Sequence, residues 1–173
     1  LNRQVAKNWQ VKSYLSELID RDWYGSDAKP LWHEVFSAIT HAKYRTLRPG
    51  EDLEYYSEAF GDFHGPRLAK TRAAYEDRMI GEKLLTFSDM LYEVDLLLKH
   101  NPVARQRLQS QFVYILADEF QDTSGQAMRI LTTLAQPQNY LYVVGDPDQL
   151  LYRFTGATPE DNLYDGFSDR YPS

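Results

Sequence analysis

The sequence predicts an α/β fold in which a mostly helical subdomain, residues 1–111, is joined to part of a parallel sheet within residues 112–173. Three observations carry this. Apolar residues recur at helical spacing through the first part of the chain. Two short, continuous apolar runs follow, FVYILA at 112–117 and YLYVV at 140–144. A helical pattern at 124–136 separates them, and strand, helix, strand in that order implies parallel pairing.

The elements follow in chain order. Val11, Tyr14, Leu15 and Leu18 form one apolar stripe, and Trp32, Val35, Phe36 and Ile39 form the next. Pro49-Gly50 breaks the second helix, and GDFHGP at 61–66 breaks what comes after it. A long polar helix then runs from about Arg67 to Lys83. Phe87, Met90, Leu91, Val94, Leu97 and Leu98 make the cleanest amphipathic stripe in the chain, and Thr86 three residues before Asp89 gives it a capping-box start. Asn101-Pro102 opens a last short helix, with Asn as N-cap and Pro in the first turn, where no N–H is needed.

Residues 112–117 are too few for a buried helix and rich in Val, Ile and aromatics, which suits a strand covered on both faces. Ala127, Met128, Leu131, Leu134 and Ala135 return to helical spacing, and the turn Pro137-Gln138-Asn139 leads into the second run, which ends in Gly145-Asp146. The tail from Thr158 to Ser173 reads as turns and short helix. In parallel sheets the ligand sits at the carboxyl ends of the strands. Both runs place acids there: Asp118, Glu119 and Asp122 after the first, Asp146 after the second.

Composition narrows the function classes. With 43% hydrophobic residues in 173, the chain can bury a core as one ordinary domain or two small ones. It contains no Cys, and His33, His41, His64 and His100 are too scattered for a zinc pattern, so a reducing, cytoplasmic setting fits. No apolar run approaches the roughly 18 residues of a membrane span, and LNRQVAKNWQ has neither the charge layout nor the apolar stretch of a signal peptide.

The net charge is −6, and residues 117–165 carry all of it, with eight acids against two bases. The remainder is neutral overall and holds two basic runs, Lys43, Arg45 and Arg48, then Arg67, Lys70, Arg72 and Arg78. Such runs read as solvated helix faces, with contact to duplex DNA as the alternative.

Carboxylates at the end of a buried parallel strand lie where nucleotide phosphates would lie. One can hold a magnesium ion and its neighbour can polarise a water. A lone Asp-Glu pair also fits a simple loop opening, since acids favour helix starts. The wider text goes further: DEFQDTSGQ at 118–126, followed by VGDPDQLLYRFTGA at 144–157, resembles the second and third motifs of the UvrD/Rep/PcrA helicases of superfamily 1. The approach to the first of these, from Leu85 onward, is similar to the family's as well, and residues 1 to about 80 match more loosely, as a helical insertion.

The resemblance implies a RecA-like P-loop NTPase sheet, Mg-ATP (ATP with Mg2+) as cofactor, and single-stranded DNA and single-strand/duplex junctions as partners. It implies Asp118 as the ligand to magnesium, Glu119 as the general base for the attacking water, and Gln149 as the γ-phosphate sensor. It also implies that Phe154, with Tyr152 beside it, stacks on a base of single-stranded DNA. The activity implied is ATP-driven translocation, 3′ to 5′, with duplex unwinding, in concert with the remaining helicase domains of a parent chain.

Two positions depart from the family pattern: Thr155 stands where Arg is usual, and Leu150 where Ser is usual. No GxxxxGK[ST] loop occurs; Gly61 to Gly65 and Gly81-Glu82-Lys83 have the wrong spacing. The stretch therefore resembles a middle segment of such a helicase and is expected to hydrolyse ATP poorly by itself. The alternatives are a non-catalytic remnant that binds single-stranded DNA or protein, and a helical interaction domain whose acidic motifs are purely structural.

Overall fold

The structure is a computed structural model that describes residues 2–25, 29–138 and 140–146. The described residues are mostly helical with two small parallel sheets, and the chain divides into two compact units, Leu1–Met90 and Leu91–Ser173.

In the first unit, β1 (Gln4–Val5) pairs in parallel with β2 (Leu84–Leu85), in register Gln4↔Leu84. The Arg3 guanidinium reinforces the pair by donating to the Leu84 carbonyl at 2.7 Å. Two-residue strands leave no period to read in a sequence, and this pair was not expected. The helices are α1 (Asn8–Asp22), α2 (Trp32–Tyr44), α3 (Leu53–Phe60) and α4 (Gly65–Gly81). The predicted stripe of α1, Val11, Tyr14, Leu15 and Leu18, is buried in the core; of the stripe predicted for α2, Val35 and Ile39 are buried and Trp32 and Phe36 half-buried, and Ala38 and Ala42 join the core beside them. Both helices begin with a backbone N–H taken by a side chain one turn ahead, Lys7 to Gln10 at 2.9 Å and Leu31 to Glu34 at 2.7 Å.

Helix α2 stops before Pro49-Gly50. Thr46 takes a left-handed conformation (φ 58), and the N–H groups of Thr46 and Leu47 bond back to Lys43 and Ala42, at 2.8 and 3.1 Å. This is the Schellman arrangement, which closes a helix by satisfying its last carbonyls.

The helix read as polar, α4, has a buried stripe of Leu68, Arg72, Tyr75 and Met79. Arg72 is completely buried. Its guanidinium donates to Asp52 at 3.0 Å, to Glu76 at 2.8 Å and to the Leu47 carbonyl at 2.5 Å. Lys43, also buried, pairs with Asp89 and lies 3.4 Å from Glu76. One member of each basic run is thus an internal cation held by carboxylates, and neither lies on a solvated face. Buried charges persist only when paired and hydrogen-bonded, as these are.

Helix α5 (Phe87–His100) starts as predicted: Thr86 Oγ1 accepts the Asp89 N–H at 3.3 Å, and the Asp89 carboxylate accepts the Thr86 N–H at 2.7 Å. Most of its apolar stripe is exposed, however, with only Leu98 fully buried. Phe87 is 75% exposed, and Met90, Val94 and Leu97 are exposed too, while Asp89, Tyr92, Asp95 and Leu98 are buried. The two aspartates can turn inward because each meets a cation within its own unit, Lys43 for Asp89 and Arg129 for Asp95.

The second unit continues with α6 (Pro102–Gln109), β3 (Ile115–Ala117), α7 (Gly125–Ala135) and β4 (Leu141–Val143). Asn101 caps α6 as expected, its Oδ1 accepting the Ala104 N–H at 2.9 Å. The strands pair in parallel with Ile115↔Leu141, Leu116↔Tyr142 and Ala117↔Val143 opposite one another. Period-two alternation sends Ile115, Ala117, Leu141 and Val143 to a small core with Phe120, Met128, Leu131 and Ala135. The opposite face is bare: Leu116 is 77% exposed, with Tyr114, Tyr142 and Val144 around it. The expectation of a strand covered on both faces is therefore corrected. Among the described residues α7 covers one face only.

Candidate active site at the ends of two parallel strands

The register of β3 and β4 brings their carboxyl ends together. Beyond the ladder, the Val144 N–H donates to the Ala117 carbonyl at 2.8 Å, and the Phe120 N–H donates back to the Val144 carbonyl at 2.9 Å. Asp118 and Glu119 therefore project from a chain tied to β4 on both sides. Phe120, 1% exposed, anchors the turn from below, and residues 120–122 form a single 3-10 turn. Ser124 then caps α7, its Oγ accepting the Ala127 N–H at 3.2 Å.

Glu119 adopts a left-handed backbone (φ 51, ψ 42), a conformation that costs a non-glycine residue roughly 1–2 kcal/mol. Its N–H is satisfied by Asp118 Oδ1 at 2.9 Å. Without that reversal of the chain, successive side chains would leave the strand on opposite faces.

Gln121 completes the local network. Its side chain is buried, Nε2 donates to Glu119 Oε2 at 2.7 Å, and Oε1 accepts the Asp146 N–H at 3.0 Å. Sequence reasoning missed this residue, because its second partner lies 25 positions away. Asp122 turns inward, and its Oδ1 is buried without a hydrogen-bond partner among the described residues.

Of the site residues expected from the sequence, Asp118 and Glu119 stand side by side, exposed, at the strand end. Gln149, Tyr152 and Phe154 lie outside the described residues, as do the departures Leu150 and Thr155. The donor set fits hydrated magnesium. Asp118 keeps one carboxylate oxygen free of its bond to Glu119, and magnesium is commonly held through one or two carboxylates, waters and substrate phosphates. Among the described residues no group of three or more acids or histidines could cage a metal by itself.

Among the described residues, the first unit brings no acids together at the ends of paired strands. Its open cleft of about 720 Å³ is lined by residues such as Trp23, His33, His41, Tyr55 and His64, and it contains none of the strand-end acids. Of the remaining basic residues, Lys70 pairs with Asp22 at 2.9 Å, and Arg78 with Glu17 at 2.6 Å and Glu82 at 3.2 Å. Arg67 stacks on Phe63 and Arg45 on Tyr55, with 4.2 and 5.1 Å to the ring centres. Among the described residues no helix is long and apolar enough to cross a membrane.

Comparison with known proteins gives a consistent picture. The family described as UvrD/REP helicase N-terminal domain matches residues 2–172. The chain is 37% identical over 157 residues to a protein of Mycoplasma pneumoniae named "Probable DNA helicase", covering 91% of this chain and 26% of that protein. It is 30% identical over 138 residues to ATP-dependent DNA helicase Rep of Escherichia coli, covering 78% and 20%. It is 29% identical over 139 residues to ATP-dependent DNA helicase PcrA of Bacillus subtilis, covering 80% and 18%. The chain thus spans about a fifth to a quarter of the length of these relatives.

Proposed function

Because the chain belongs to the UvrD/REP helicase N-terminal domain family, we propose that it is a segment of an ATP-dependent DNA helicase, in which residues 112–173 contribute to a RecA-like ATPase core and residues 1–111 form a helical insertion. The observation that carries this is the pairing of β3 and β4, which sets Asp118 and Glu119 beside Asp146 at one end of a parallel sheet. Relatives bearing the names Rep and PcrA are ATP-dependent DNA helicases, which supports the same reading.

In this reading Asp118 is the residue that would hold magnesium. The ion, when bound with ATP, neutralises charge on the β- and γ-phosphates. Glu119 orients the attacking water and takes its proton, a role typically worth about 10²–10⁴-fold in rate. Gln149 senses the γ-phosphate, and Phe154 with Tyr152 grips single-stranded DNA by stacking. Nucleotide state then passes to DNA grip within five residues of chain, giving 3′ to 5′ movement and unwinding at single-strand/duplex junctions, in the cytoplasm. The bare apolar face of β3 and β4 supports the presence of further layers in the working domain, since parallel sheets are normally covered on both faces.

Phosphate release from ATP by the full-length protein, with and without single-stranded DNA, tests the proposal. DNA-stimulated turnover is expected. Absence of turnover under both conditions would favour the non-catalytic binding module instead.

A further inference from the structure

We propose that Gln121 is a positioning residue for hydrolysis, fixing the Glu119 carboxylate relative to the end of β4; this rests on the reading of Glu119 as general base. The amide has one donating and one accepting end, and both are assigned by their partners. The Asp146 N–H can only donate, so it takes Oε1 at 3.0 Å, which turns Nε2 toward Glu119 Oε2 at 2.7 Å. A glutamate on an exposed turn would otherwise sample several rotamers, with its carboxylate in different places. Here a buried amide selects one and leaves Oε1 as the oxygen to receive a proton from water.

The same bond pair makes the carboxylate's position conditional. Asp146 opens the second acidic segment, and a shift of its backbone would pull Oε1, rotate the amide and release Glu119. The base would then be in place only when the end of β4 is seated against the turn. The link runs from Glu119 to Asp146 through one side chain that exchanges no proton itself.

A purely structural Gln121 would only satisfy the Asp146 N–H. Two variants of the full-length protein separate the roles, assayed for DNA-stimulated ATP turnover beside Glu119→Gln. Gln121→Met keeps the volume and removes both bonds. It is expected to lower kcat about 10- to 100-fold, the scale of a misplaced catalytic group, with KM for ATP within about threefold. Gln121→Glu keeps the shape; protonated, it accepts from Asp146 and donates to Glu119, and ionised it repels Glu119. Two carboxylates sharing a site hold one proton to raised pH. The turnover of Gln121→Glu relative to wild type should therefore rise as pH falls from about 8 to about 6.

Retention of kcat within twofold in Gln121→Met overturns the inference. If Gln121→Met does not fold, the pH response of Gln121→Glu decides, and a flat ratio to wild type overturns it. If neither variant folds, the residue is structural and the inference fails. Loss of turnover in Glu119→Gln alongside unaffected Gln121 variants removes only this inference. Turnover that survives Glu119→Gln removes the base assignment and this inference with it.

Discussion

The Lys43 ammonium is buried against the Asp89 carboxylate, 46 positions further along the chain. That one contact ties α2 to the start of α5, because the same carboxylate caps Thr86. Burial alone would push the Asp89 carboxyl up, but Lys43 and the Thr86 hydrogen bonds outweigh it and hold the group below its ordinary range.

Removing one partner of a buried ion pair leaves the other uncompensated, at about 3–5 kcal/mol. Lys43→Met is therefore expected to destabilise the chain by about that amount in urea unfolding, while replacing exposed Arg48 with Met should change stability by less than about 0.5 kcal/mol. Equal, small effects at both positions would show that Lys43 is solvated after all.

Asp22 should leave a signature in acid. Its side chain is 1% exposed; burial raises its pKa, but bonds from Arg21, Lys70 and Thr71 overcome this and lower it to about 2. Against an unfolded value near 3.9, the linked stability is complete above about pH 4 and disappears as pH falls toward 2, for roughly 2 kcal/mol in all. Asp22→Asn should flatten that part of the stability curve, which unfolding monitored by circular dichroism between pH 2 and 5 would reveal. An unchanged slope would contradict the assignment.

The bare sheet face carries a third expectation. Tyr114, Leu116, Tyr142 and Val144 form a contiguous exposed apolar surface, with the rings of Tyr114 and Tyr140 stacked 5.2 Å apart. Surfaces of this kind drive association unless covered. The 173-residue chain alone should self-associate in sedimentation velocity, and Leu116→Lys with Tyr142→Lys should reduce this without unfolding it. Association that persists in the double variant would place the sticky surface elsewhere, with the exposed part of the α5 stripe the next to test.

Local patterns made much of this fold legible. The β3–α7–β4 unit follows from two apolar runs and a helical interval, and the starts of α5 and α6 follow from Thr86, Asp89 and Asn101. What escaped the sequence depends on partners far along the chain. Nothing near Lys43 or Arg72 signals that Asp89 and Asp52 await them, so both read as members of surface runs. The apolar stripe of α5 looked like the inward face, yet paired aspartates occupy the buried side. At the site, the strand-end acids were legible because they follow an apolar run; Gln121 was not, because its meaning lies in a bond to the backbone of Asp146.

The most direct measurement is the ATP turnover of the full-length protein carrying Glu119→Gln, taken with its affinity for ATP and for single-stranded DNA. Glutamine keeps the size and the strand-end geometry but cannot accept the proton. The account predicts a fall in kcat of about 100-fold or more, with both affinities within a few-fold of wild type. Turnover close to wild type would mean that Glu119 is not the base, and that the paired strand ends serve another purpose.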